Sequence, residues 1–153
     1  MDGNRTIGET LYDRDGWAWA QAQSRALRAR DLDAIDWENV IEEIEAVGRS
    51  ERSAVSSAIA LILEHRLKFE HGLREEPKAG WKRTIRAQRR KLRKILGKNP
   101  SLVPSVPEMI LEEYGDARAD ALDSFEEYEE ANIGHYRAVL PPECPYSEAD
   151  VLG

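Results

Sequence analysis

Apolar residues in this chain recur three and four positions apart and almost nowhere two apart, and that spacing most narrows what it can fold into. A period near 3.6 marks amphipathic helices, whereas half-buried strands alternate. The sequence therefore predicts an all-α protein, a compact bundle of about five helices with an irregular Pro-rich C-terminal tail. At 153 residues the chain fits one domain over 1–153, with its ordered core over about 11–152 and enough length to bury a real interior.

Caps and breakers place the helices. The first is expected over about Asp13 to Arg30, with Trp17, Ala20, Ser24 and Leu27 down one side. Asp31-Leu32-Asp33 reads as a turn, and Asp36 suits the N-cap of a second helix carrying Trp37, Val40, Ile41, Ile44 and Val47. Gly48 is its expected stop, with Ser50 capping a third helix whose apolar face is Val55, Ala58, Ile59, Ile62 and Phe69, ending at Gly72. The fourth helix, about Gly80 to Leu96, has Trp81, Ile85, Leu92 and Ile95 at helical spacing. Ser105 and Glu108 form an S-x-x-E capping box opening a long helix to about Ala131, with Ile110, Tyr114, Ala117, Ala121, Phe125 and Tyr128 in its stripe. The tail PPECPYSEADVLG resists helix formation until Ser147, where S-x-x-D caps one short turn.

Charge is segregated. Between Lys78 and Lys98 stand ten basic residues and no acid, while Glu108 to Glu130 holds ten acids and the single base Arg118. Most of the cations lie opposite Trp81, Ile85, Leu92 and Ile95, so the fourth helix has a cationic outer face. In one reading that face, over 82–94, binds nucleic acid or another phosphate-bearing partner through Arg83, Arg86, Arg89, Arg90, Arg93 and Lys94. In the other, the fourth and fifth helices lie antiparallel and their opposite charges meet. The net charge of −7 argues against a wholly basic nucleic-acid binder. Trp81 is the only aromatic residue of this helix and sits on its apolar side, so there is no stacking platform.

A second polar cluster lies earlier. Glu38, Glu42 and Glu45 share one stripe of the second helix at i, i+4 and i+7, at the border of its apolar face, whereas Glu43 points elsewhere. Three like charges at this spacing call for a cation, and Arg49, His65 and Arg66 are the candidates. Glu42, Glu45 and His65 could also hold a divalent metal for a hydrolase or nuclease. That reading lacks the E-x-x-H of carboxylate-bridged bundles, since Ile62 stands three residues before His65. H-E-x-x-H, G-x-S-x-G and a glycine-rich phosphate loop are absent, so no catalytic motif and no cofactor is predicted. Cys144 is the only cysteine and lies beside Glu143, in surroundings that blunt a thiolate. No apolar window reaches the length of a membrane span, and a soluble cytoplasmic protein is expected.

Several long blocks together resemble the bacterial domain-of-unknown-function family number twenty-nine: LYDRDGWAWAQAQSRALRARDLDAIDWENVIEEIEAVGRSER, LEHRLKF, WKRTIRAQRRKLRKIL, NPSL and PPECPYSEADVL. They run in the family's order from about Leu11 to Leu152. The resemblance implies an all-helical bacterial domain without an established activity, and it supplies no catalytic residue. Its pattern includes positions matching Glu42, Glu45, Arg49, His65, Lys68, Arg86 and Arg89, which makes those the first places to seek a site. The expectation is an interaction module acting through charged helix faces, with a protein partner, self-association or nucleic acid as its partner.

Overall fold

The computed structural model describes residues 9–153. The protein is all-α, with no strand among the described residues. Its helices are α1 (Leu11–Arg14), α2 (Gly16–Ala29), α3 (Trp37–His71), α4 (Lys78–Lys98), α5 (Val106–Glu129), α6 (Ile133–Val139) and α7 (Glu148–Leu152). The chain divides into two compact units, one ending at Arg49 and one running Ser50–Gly153.

In the first unit the expected single opening helix is two. Asp15 ends α1 and caps α2, its carboxylate accepting from the Ala18 amide at 2.9 Å, while Thr10 and Asp13 form a capping box on α1. Trp19 and Ala26 are buried in place of the expected Trp17 and Leu27, which stand exposed. A 3-10 turn over Leu32–Ala34 leads to Asp36. The Asp36 carboxylate accepts from Trp19 Nε1 at 3.0 Å and from the Asn39 amide at 3.4 Å, while its own amide donates to Gln23 Oε1 at 2.7 Å. The Asn39 side-chain amide, which donates to the same carboxylate at 2.8 Å, and then Trp19 hold the Asp36 carboxyl below its ordinary range.

The largest correction concerns Gly48. No stop occurs there, and α3 runs unbroken through Gly48 and Ser50 for 35 residues. A glycine inside an exposed helix costs only about 1 kcal/mol relative to alanine, and Gly48 lacks the positive φ of a helix terminator. Arg49 spans the supposed break, reaching Glu42 at 2.6 Å and Glu45 at 3.8 Å. Local ion pairs and continuous hydrogen bonding outweigh the glycine.

The second unit holds the core. The α3 residues Val55, Ala58, Ile59, Ile62, Leu63 and Leu67 are buried with Ile85, Leu92 and Leu96 of α4 and with Ile110, Ala117, Ala121 and Phe125 of α5. Each of the larger of these side chains, from valine to phenylalanine, contributes about 1.5–3 kcal/mol by leaving water. Phe125 stacks on Tyr136 of α6 with ring centroids 3.7 Å apart, and Trp81 meets the edge of Phe125. Gly72 ends α3 where a Cβ would lie 2.7 Å from the Trp81 ring and 2.6 Å from the Lys68 carbonyl, so that corner accepts only glycine without a shift.

Two further expectations fail here. The Ser105–Glu108 box does not form, because Ser105 has helical dihedrals at the end of a 3-10 segment (Pro100–Ser105) and its hydroxyl caps nothing. The fifth helix closes at Glu129, and after a 3-10 turn a further helix not expected from the sequence, α6, carries His135. The Ser147–Asp150 capping box on α7 forms as expected, and it keeps the Asp150 carboxyl below its ordinary range.

Candidate functional site

The cationic face of α4 is built by helix geometry. At 100° per residue Ile85, Leu92 and Leu96 gather on one side, and Lys82, Arg86, Arg90, Arg83 and Lys94 fan out over roughly the next 120°. The first three are buried and the last five exposed. Pairing with α5 does not neutralise this face: among the described residues no ion pair joins α4 to α5. The α5 acids turn elsewhere, Glu112 to Arg52 on α3 and Glu126 to Arg137 on α6. Asp120 stays within an acid-rich surface where partial burial, Glu64, Asp123 and Asp116 push its carboxyl up. On α4 the only ion pair is Lys78 with Glu75, which leaves Lys82, Arg83, Arg86, Arg90, Lys91, Lys94 and Lys98 without a carboxylate among the described residues. Like charges at i, i+4 oppose the helix by a few tenths of a kcal/mol per pair, so the stripe is sustained against its own repulsion.

Two of the six arginine and lysine candidates have a structural task. Arg89 donates through Nε to the Val151 carbonyl at 3.0 Å and through a terminal nitrogen to the Asp150 carbonyl at 2.6 Å. Arg93 donates to the Leu152 carbonyl at 2.9 Å. Both satisfy the open carbonyl end of α7, as cations at a helix C-terminus do. Burial, with Arg66 and Arg93 nearby, draws the Arg89 guanidinium's pKa down.

Beside this end lies a cleft of about 230 Å³ lined by Arg66, Phe69, Glu70, Lys82, Ile85, Arg86 and Arg89. Its single carboxylate is already engaged. Glu70 accepts from Arg66 at 2.7 and 3.0 Å and from the Tyr146 hydroxyl at 2.8 Å. Arg66 also donates to the Asp150 carbonyl at 2.6 Å and lies over the Tyr146 ring at 4.4 Å. Burial and the Glu70 hydrogen bond push the Tyr146 hydroxyl well up, so it stays a donor. The cleft therefore presents Lys82 and Arg86 without a counter-charge among the described residues.

The glutamate stripe has a simpler environment. Glu42 and Glu45 share the single cation Arg49, all three exposed, and Glu43 accepts from the Tyr12 hydroxyl at 2.6 Å, which raises the phenol's pKa. Glu38 is exposed and has no ion pair among the described residues. His65 and Arg66 belong to the second unit, the glutamates and Arg49 to the first. His65 Nδ1 lies 2.9 Å from the Leu61 carbonyl and 3.7 Å from Glu64, and burial draws its pKa down. No group of three or more His, Cys, Asp or Glu among the described residues is arranged to hold a metal.

Lys68, singled out from the sequence only through the family resemblance, is a buried cation that donates to Glu64 at 3.0 Å and lies 5.6 Å from the Trp81 ring centre. It lines a cavity of about 420 Å³ with Trp81, Phe125 and Tyr128. The signal was present as a lysine one turn after Glu64 on an apolar face, a place where an unpaired cation is rare.

The family model described as "Domain of unknown function DUF29" matches residues 11–153, nearly the whole chain. The chain belongs to this family. Membership brings no assigned activity and no catalytic residue, so function rests on this chain's own geometry. Comparison with curated proteins and with solved structures gave no match. No helix among the described residues is long and apolar enough to cross a membrane.

Proposed function

We propose that this chain is an interaction module and that the cationic face of α4 is its recognition surface for the phosphate backbone of a nucleic acid. The observation that supports this reading is the row Lys82, Arg83, Arg86, Arg90 and Lys94, exposed and without a carboxylate partner among the described residues. Arginine guanidinium forks pair with phosphate oxygens through two parallel hydrogen bonds, and the row is rich in arginine. The cleft at Lys82 and Arg86 offers one phosphate a concave seat at the end of the row. Recognition of this kind follows the backbone and not the bases, because α4 carries no exposed aromatic side chain.

Fluorescence anisotropy with labelled duplex and single-stranded oligonucleotides, across a salt series, tests it. Four phosphate contacts on a duplex give a log–log salt slope of about −3.6, at −0.9 per phosphate. Replacing Arg83, Arg86 and Arg90 together by Gln reduces the slope by about 3 units. These side chains are exposed, so helical content stays unchanged. Absence of binding at low salt, or binding flat with salt, overturns the proposal. So does a preference for an acidic polypeptide over either oligonucleotide.

A further inference from the structure

The first unit leaves a large apolar surface open. Trp17 is 77% exposed, Ile44 67% and Val47 64%, and Ile41, Trp37 and Leu27 are exposed with them. Among the described residues its buried apolar side chains are only Trp19, Ala26 and Ile35. Between α2 and the first part of α3 lies a shallow groove of about 420 Å³ lined by Leu27, Val40, Ile44 and Val47, with Arg28 and Glu43 among its polar lining. Units near 40 residues usually need a disulfide, a metal or association to complete a core. Cys144, the only cysteine, lies in the other unit, and the described residues gather no metal site.

The edges of the surface carry opposite charge. On α2 the far edge bears the exposed Arg28, and α2 contains two arginines and no acid. On α3 the apolar arc runs from Val47 through Ile44 to Ile41, and about 40° and 60° beyond Ile41 stand Glu45, which shares Arg49 with Glu42, and Glu38, which has no ion pair among the described residues, so this edge stays net acidic. Turned by a two-fold axis, the basic edge of one such hairpin meets the acidic edge of an identical one while the apolar arcs close on each other. A two-fold interface requires a self-complementary patch of this form. We infer that the α2–α3 hairpin is a homodimerisation surface, in which Trp17, Leu27, Ile41, Ile44 and Val47 of two copies pack as a four-helix layer and Arg28 of one copy faces Glu38 and Glu45 of the other.

The whole chain, examined by sedimentation velocity and light scattering at micromolar concentration, has twice the 17.4 kDa chain mass. Replacing Ile44 and Val47 together by Glu returns it to 17.4 kDa with an unchanged helical circular-dichroism spectrum. Leu111→Glu, an equally exposed apolar position in the second unit, leaves the dimer intact. Charge reversal supplies an independent arm. Arg28→Glu alone, or Glu38→Arg with Glu45→Arg, weakens self-association, whereas mixing the two variants restores a dimer in which every facing edge is attractive. A wild-type chain that stays monomeric overturns the inference, whether or not native mass spectrometry finds a different protein on it. A dimer that survives Ile44→Glu with Val47→Glu, or variants that do not recover on mixing, overturns it equally.

Discussion

The two units use the same material in opposite ways. In the second, the apolar stripes of α3, α4 and α5 meet one another, and Val55, Ile59, Ile62, Leu92, Ala117 and Phe125 are almost wholly shielded. In the first, an equally regular stripe at Trp37, Ile41, Ile44 and Val47 faces outward. A helical period in the sequence thus reports that a face is apolar, not that the same chain covers it. Where the fold exhausts the stripe, the surface left for function is charged, as on α4. Where it does not, the apolar face itself is the surface left over.

The contrast is broken most forcefully by side-chain deletion. Phe125→Ala, which removes the ring stacked on Tyr136, is expected to cost about 3–5 kcal/mol in chemical denaturation. Ile44→Ala, at an exposed site, stays within about 0.5 kcal/mol of wild type under conditions where the chain is monomeric. Equal losses at both positions would mean that the α3 stripe is covered after all.

Gly48→Ala gives an intermediate effect and sharpens the contrast along a single helix. The site has open space and no positive φ, so alanine is expected to stabilise by about 0.5–1 kcal/mol. Destabilisation would restore the helix stop at Gly48.

The smallest effect is a pH dependence confined to the second unit. Burial lowers the His65 pKa in the folded state relative to its ordinary 6.5. Protonation therefore favours unfolding: stability is complete above about pH 6.5 and erodes as pH falls through that value toward the folded pKa. His65→Gln, followed by urea denaturation between pH 7 and 5, should flatten this erosion. An unchanged slope in the variant would remove His65 as its source.

The helical class, the span of α4 and the Ser147–Asp150 cap were legible because each depends on neighbours within one or two turns. The same holds for the cationic face, which needs only a helix and a list of charges. Other expectations failed where two local signals competed. Gly48 and Ser50 resemble a stop and a restart, yet Arg49 with Glu42 and Glu45 ties the turns across Gly48, and α3 continues through Ser50. Ser105 and Glu108 have capping-box spacing, but the preceding 3-10 segment places Ser105 in helical dihedrals. Arg89 and Arg93 were grouped with the free cations because nothing in their spacing announces the carbonyls of residues some sixty positions away.

Sequence by itself determined that the chain is helical, where its charges concentrate and which face of each helix is apolar, since these follow from period and composition. Tertiary structure decided which faces are consumed. It buried the stripes of the second unit, assigned Arg89 and Arg93 to the end of α7, and, among the described residues, left the α4 row without carboxylates and the Ile41–Val47 arc without cover. Burial and ion pairing depend on what arrives from distant parts of the chain, and no local pattern encodes that arrival.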